Sequence, residues 1–222
     1  MPPERCTNRC NWRQPWRRGA EMKTLAAIIL CAGESRRMGR PKALLACQGT
    51  TFLGHLLRVT AHQAIGIRRV VLGAAAEEIR RAAGLAPEVV VVNEDWQRGQ
   101  LSSLHVGMRS LPKEGTDGML VCPIDHPLIS SQLIDKLVKT FRAQGKPIVM
   151  PTWQGHRGHP VIFAASLYQE LLSAPTEVGA RAVVWAHQKD IFELPTTEQG
   201  VIQNLDDPET LRQAMGAGAG KP

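Results

Sequence analysis

The chain has 222 residues, 43% of them hydrophobic, and a formal net charge of +7. That is enough apolar material for one sizeable domain without disulfide staples, and it excludes a disordered or fibrous protein. The basic balance brings nucleic acid to mind as a partner. However, Arg5, Arg9, Arg13, Arg17 and Arg18 face only Glu4 and Glu21 within residues 1–21, so much of the excess charge belongs to a short arm rather than to a binding face.

That arm is rich in Pro, Arg, Trp and Cys and has no apolar periodicity. It is expected to be disordered, with a single folded domain over residues 22–216 and a flexible tail over 217–222. The apolar run Leu25–Leu30 is too short for a secretion signal, and charged Glu34, Arg36 and Arg37 follow it almost at once. No run approaches membrane-spanning length, so the expected location is cytoplasmic, with no membrane partner. The five cysteines make no framework. Cys6 and Cys10 lack a second pair to complete a zinc site, Cys47 has no ligand context, and Cys31 and Cys122 read as small buried residues.

Leu25–Leu30 is the pattern of a strand buried on both faces. It breaks into a loop carrying Gly33, Arg36, Arg37, Gly39, Arg40 and Lys42. Glycines let backbone amides approach an anion, and guanidinium and ammonium groups at a strand end suit a polyphosphate. The loop is not a P-loop, because no hydroxyl follows Lys42, and the spacing of Gly33 and Gly39 is wrong for a dinucleotide fingerprint. The reading is a nucleoside triphosphate site; the bland alternative is a solvated surface turn.

Ala43–Ala46 is a short apolar piece before a turn at Gly49, and Thr50 or Thr51 caps a helix whose apolar face holds Leu53, Leu56, Leu57 and Ala64. Arg69–Leu72 is a strand, Ala75–Ala83 a helix, Val89–Val92 a strand, Asn93–Gly99 a loop and Leu101–Leu111 a helix. Met119–Cys122 is a strand that ends at PIDHP, and a helix starts near Ser130. Strands Ile148–Met150 and Val161–Phe163 flank the loop TWQGHRGHP; helical pieces follow near Ser166–Ser173 and Gly179–His187. Ile191–Leu194 and Val201–Gln203 are strand-like, and NLDDPETL opens a last helix. Strands alternating with helices imply an α/β domain with a largely parallel sheet covered on both faces. In such sheets ligands sit beyond the carboxyl ends of the strands, where the basic loop, Asn93–Gly99 and Asp125 all fall.

Asp125, braced between Pro123 and Pro127, is placed to bind magnesium, an ion that takes one or two carboxylates and completes its shell with phosphate and water. The alternative is a turn aspartate capping nearby amides. His126 beside it is expected to face solvent. Of Asp206 and Asp207, one is expected to cap the helix beginning near Pro208 and the other to reach the metal.

LCAGESRRMGRPK, NEDWQRGQLSSLHVG, PIDHP, GHRGHPVIF and NLDDPETL occur in the order expected of the MobA-like NTP transferases, and the chain most resembles their molybdenum-cofactor cytidylyltransferase branch over residues 24–215. The resemblance implies a three-layer α/β/α sandwich related to nucleotide-diphosphosugar transferases, and nucleotidyl transfer from an NTP to a phosphate acceptor with release of pyrophosphate. It implies Mg²⁺ as cofactor, molybdopterin as the phosphorylated acceptor, and a molybdoenzyme or its chaperone as protein partner. The family's first loop falls on Leu30, Cys31, Ala32, Gly33, Arg36, Arg37 and Lys42, with Lys42 and Arg37 catalytic through the phosphates. Asn93, Ser102, Ser103 and Gly107 fall on its base-and-ribose wall, although the serines also suit a capped helix start. Its magnesium aspartate falls on Asp125, and Asp206 is the expected second ligand. Its acceptor segment falls on Gly158, His159 and Pro160. The chain departs from the family at Asn204 and Asp207, where Asp and Thr are usual. Ala32–Gly33 resembles the CTP-using members, which makes CTP the expected donor, with GTP or a sugar-phosphate acceptor as alternatives. A nucleic-acid-binding module would have to rely on the N-terminal arm, where a steep fall of binding with salt would reveal it.

Overall fold

The computed structural model describes residues 24–216; the expectations for the arm, Cys6, Cys10 and the tail lie outside the described residues. In chain order the strands are β1 (Thr24–Cys31), β2 (Ala46–Cys47), β3 (Thr50–Thr51), β4 (Ile65–Leu72), β5 (Val90–Val92), β6 (Thr116–Pro123), β7 (Ile148–Trp153), β8 (His156–Arg157), β9 (Val161–Ala164) and β10 (Ile191–Pro195). The helices are α1 (Phe52–Val59), α2 (Ala76–Ala82), α3 (Gln100–Arg109), α4 (Ser131–Gln144), α5 (Tyr168–Ser173), α6 (Arg181–Ala186) and α7 (Pro208–Gly216).

Strand β1 lies inside the sheet, between β4 and β6 and parallel to both. Its side chains alternate between faces. Leu25, Ala27, Ile29 and Cys31 enter one core with Leu53, Leu56, Leu133 and Leu137 of α1 and α4. Ala26, Ile28 and Leu30 enter the other with Leu104 and Met108 of α3, Leu171 of α5 and Val183 of α6. One strand therefore supplies both cores, which is why its sequence is apolar from Leu25 to Cys31. The three-layer α/β/α sandwich expected from the sequence is the observed one.

The sheet order is β10-β7-β9-β6-β1-β4-β5. All neighbouring pairs along it are parallel except those made by β9, which runs antiparallel to both β6 and β7. From β1 the chain steps outward to β4 and β5, then returns to place β6 on the other side of β1. The switch point of the sheet therefore lies between the carboxyl ends of β1 and β6. There the Ile124 amide donates to the Leu30 carbonyl at 3.1 Å and ties the two ends together.

Several local expectations meet the structure directly. The Thr51 side chain accepts from the Gly54 amide at 3.0 Å as the α1 cap, and Ser130 caps α4 by accepting from the Leu133 amide at 3.0 Å. Two differ. Helix α1 ends at Val59, so Ala64 is buried from the following loop rather than from the helix. Val201–Gln203 is no strand: a 3₁₀ turn spans Gln199–Val201, pressed between the 128 and 158 loops. A Cβ on Gly200 would collide with the Leu128 carbonyl, and the Val201 carbonyl accepts from the His159 amide at 2.8 Å instead of from a strand partner. Close packing there overrides β propensity.

Candidate functional site

After β1 the chain turns sharply. Ser35 and Gly39 adopt left-handed conformations, with φ of 56° and 67°, and a 3₁₀ turn over Arg36–Met38 lies between them. The Ser35 hydroxyl then accepts from the Lys42 amide at 3.1 Å and folds the basic loop back over the strand end. The result is a cavity of about 390 Å³ at the switch point. Its wall includes Leu30, Cys31, Ala32, Gly33, Arg36, Arg37 and Lys42 of the strand end and basic loop. Asp125 from the end of β6 and Asp206 from the loop before α7 line the same space.

The charges are arranged across that space. Lys42 Nζ is hydrogen-bonded to Asp206 Oδ1, and Arg37 lies 3.1 Å from Asp206 Oδ2. Burial alone would raise the Asp206 carboxyl, but the hydrogen bond and charge of Lys42, with Arg37 behind them, hold it below the ordinary carboxylate range. Arg36 is turned toward Glu34 at 2.6 Å and stays largely exposed. The Leu205 amide donates to the Asp125 carbonyl at 2.8 Å, so the two acidic loops are joined through the backbone. The division of labour between the aspartates is clear: Asp207 Oδ1 accepts from the Glu209 and Thr210 amides at 3.0 and 2.9 Å and caps α7, while Asp206 faces the cavity. Asn204, at the position of the family's usual aspartate, is exposed and does not line the cavity.

Asp125 Oδ1 is buried and has no hydrogen-bond partner; the nearest cationic candidate, His126 Nε2, is 3.9 Å away, too far for a hydrogen bond. A buried carboxylate oxygen without a partner suits a cation. Among the described residues no group of three or more His, Cys, Asp or Glu is placed to hold a metal, so a soft-ligand cage is absent there. One or two hard oxygens beside a phosphate site fit a magnesium-like ion.

Several of the expected site residues stand away from this cavity. Asn93, Ser102 and Gly107 do not line the cavity. Asn93 Nδ2 donates to Ser102 Oγ and Ser103 Oγ, both at 2.9 Å, and Ser102 donates to the Gly99 carbonyl at 2.8 Å, so this network fastens the start of α3 to the end of β5. The serines lie inside the helix, whose N-cap is Gly99. Gly107 is where α3 rests on the sheet: a Cβ there would come within 2.9 Å of both Ile28 and Val71. Of that wall only Ser103 reaches the cavity, joined by Trp96 and Gln97 of the 93–99 loop, which was expected at the crevice, and by Gln100 at the start of α3. Also against expectation, His126 is mostly buried, its ring 4.7 Å from that of His159.

Gly158 and His159 lie in a second cavity of about 600 Å³, which shares Leu30, Gln100 and Pro123 with the first. Pro160 lines neither and is buried behind a cis peptide bond with His159. Burial, with the charges of His126 and Arg181, pushes the His159 imidazole down to about 3. The neutral ring is thus built into the fold, while an unfolded chain would take a proton near pH 6.5. Stability at this position is expected to be full above that value and to be lost progressively as pH falls from about 6.5 toward 3. Urea titrations of the wild type and His159→Asn between pH 7 and 4 should show a shallower acid decline in the variant; parallel curves would refute the assignment.

A mostly parallel sheet whose basic loop faces a pair of carboxylates across its switch point defines a nucleotidyltransferase. The family model of the MobA-like NTP transferase domain matches residues 27–191, and the chain belongs to that family. It is 30% identical over 203 residues to a probable molybdenum cofactor guanylyltransferase of Mycobacterium avium, covering 87% of this chain and 96% of the relative. It is also 29% identical over 213 residues to a nicotine blue oxidoreductase of Paenarthrobacter nicotinovorans, covering 88% and 98%. Among solved structures, Rv0371c of Mycobacterium tuberculosis superposes with a TM-score of 0.75 at 25% identity, over 87% of this chain and 99% of that one. The same protein solved with manganese gives 0.71 at 23% identity, over 88% and 100%. No helix among the described residues is long and apolar enough to cross a membrane.

Proposed function

We propose that this protein transfers a nucleotidyl group from GTP to the phosphate of molybdopterin and releases pyrophosphate. The observation that carries the reading is the meeting of Lys42, Arg37, Asp125 and Asp206, drawn from three loops, in one cavity. The choice of guanine follows the name of the M. avium relative. CTP is the second reading, favoured by Ala32–Gly33 in the first loop.

An oxygen of the acceptor phosphate attacks the α-phosphorus in line. As that P–O bond forms, the bond from the α-phosphorus to the bridging oxygen breaks, and the oxygen leaves with pyrophosphate. No protein nucleophile is needed, so the protein's contribution is positioning and charge neutralisation. Lys42 and Arg37 exchange Asp206 for the β- and γ-phosphates and hold the departing pyrophosphate. Leu30 to Gly33 and Ser103 flank the nucleoside, and Gly158 and His159 border the acceptor. A divalent cation, Mg²⁺ in this reading, held by Asp125 with Asp206, supplies positive charge to the phosphate oxygens. The nucleotide-bearing product is destined for a molybdoenzyme or its chaperone.

The test is pyrophosphate release from each NTP, with and without molybdopterin or a sugar phosphate. Release that needs both GTP and molybdopterin is expected. A CTP requirement would select the cytidylyl reading, and release with sugar phosphate alone would replace the acceptor. Absence of release from every NTP would sink the transferase reading and turn attention to the redox chemistry named for the P. nicotinovorans relative.

A further inference from the structure

The second cavity differs in chemistry from the first. Its floor is the apolar face of the sheet and of α3, formed by Leu101, Leu104, Val121, Met150, Val161 and Phe163. Such a floor suits a flat ring and offers nothing to hold a charge. Any polar grip must come from the outer wall, the segment from Thr176 through α6 together with Arg157.

Of the charged side chains on that wall, only Arg157 has an ion-pair partner among the described residues. Arg157 pairs with Glu193 at 2.7 Å, and Glu177 accepts from the Thr176 hydroxyl at 3.2 Å. Arg181 has no ion-pair partner among the described residues. Four residues further along α6 stands Trp185, with 58% of its surface exposed. Val183, between them in sequence, is buried and anchors the helix to the core. Positions i and i+4 share a helix face, about 6 Å apart along the axis, and both side chains line the cavity. An exposed indole beside an unpaired guanidinium, both lining one cavity, is not explained by packing.

The placement of Arg181 gives this wall a direction. Arg181 lines the second cavity together with His159, whose ring lies 4.7 Å from that of His126, the residue after Asp125. Arg181 therefore marks the part of the second cavity that leads toward the carboxylates of the first. A phosphate held there would be presented to the transfer site through the shared border of Leu30, Gln100 and Pro123.

We propose that Arg181 and Trp185 select the acceptor, the guanidinium pairing with the phosphate of a phosphorylated heterocycle and the indole covering the ring against the apolar floor. The assignment rests on the reading that the site transfers a nucleotidyl group to a phosphate. The planar guanidinium fork matches phosphate oxygens, and an indole stacks on any flat ring. A sugar phosphate would engage Arg181 alone, and an unphosphorylated pterin Trp185 alone. The acceptor class is thus a flat ring and a phosphate in one molecule.

Calorimetric titration of the full chain with neopterin monophosphate and with neopterin separates the two contacts without turnover. Arg181→Ala is expected to weaken neopterin monophosphate about ten- to hundredfold and to leave neopterin unchanged. Trp185→Ala is expected to weaken both about tenfold, and Trp185→Phe to recover most of the loss. GTP affinity should stay at the wild-type value in all three, which also verifies that they fold. Unchanged binding of neopterin monophosphate in either alanine variant, or an equal loss for both ligands in Arg181→Ala, overturns the pair. Turnover separates this from the parent reading. A wild type that shows the binding pattern but releases no pyrophosphate sinks the transfer and keeps the site. A wild type that turns over, with acceptor KM unmoved in both alanine variants, sinks the site and keeps the transfer.

Discussion

Replacing Asp125 by Asn is expected to lower kcat by about a thousandfold, with little change in fold stability. The carboxylate stands directly after β6, at the switch point, and the backbone around it is tied on both sides: the Ile124 amide donates to Leu30 and the Asp125 carbonyl accepts from Leu205. The side chain contributes little to that frame, since Oδ1 is buried with no partner. An unpartnered buried carboxylate oxygen costs folding free energy, so the isosteric amide should leave the melting temperature level or raise it. Pyrophosphate release and thermal unfolding measured on the same preparation check this. A kcat within tenfold of the wild type would remove Asp125 from the chemistry, and a large fall in melting temperature would make it a structural residue instead.

Lys42→Met is expected to cut kcat/KM for the nucleotide about a hundredfold, because it removes an ammonium group from the phosphates. A second and opposite consequence distinguishes this from simple loss of charge. In the free protein Lys42 is hydrogen-bonded to Asp206, with only 11% of its side chain exposed. While that contact stands, Asp206 is partly neutralised and is a poor ligand for a cation. On the proposed reading nucleotide phosphate would draw Lys42 away and free the carboxylate, so cation and nucleotide should each tighten the binding of the other. Without Lys42 the carboxylate is freer from the start. Binding of Mn²⁺ in the absence of nucleotide, followed by electron paramagnetic resonance, should therefore tighten about fivefold, a shift of about 1 kcal/mol. Weaker or unchanged Mn²⁺ binding in Lys42→Met would show that Asp206 is not on the cation side of the site.

These two residues show why part of the site was legible in the chain and part was not. The apolar run before Cys31, the glycine-bearing basic loop, and a carboxylate between prolines after a buried strand are local patterns. Each is set by residues close in sequence, and each sits where it was expected. The contact between Lys42 and Asp206 joins positions 164 residues apart, and nothing local records it. Which of Asp206 and Asp207 caps α7 was likewise open from the residues alone, the choice of Asp206 as the metal ligand having come from the family resemblance. That Asn93, Ser102 and Gly107 stand outside the cavity was hidden for a related reason. Polar and glycine residues near a ligand site look alike in a sequence whether they touch the ligand or fasten a helix to a sheet.

By itself, then, the sequence determined the α/β architecture, the buried central strand and the position of the basic loop at its end, because apolar periodicity and turn chemistry act over a few residues. Tertiary structure alone decided which acid pairs with which base, inserted β9 against the direction of its neighbours, turned Val201 into a 3₁₀ carbonyl that accepts from His159, and set Arg181 and Trp185 over a second cavity. Those outcomes depend on close packing between distant segments, where a clash as small as a Cβ on Gly200 outweighs any local preference.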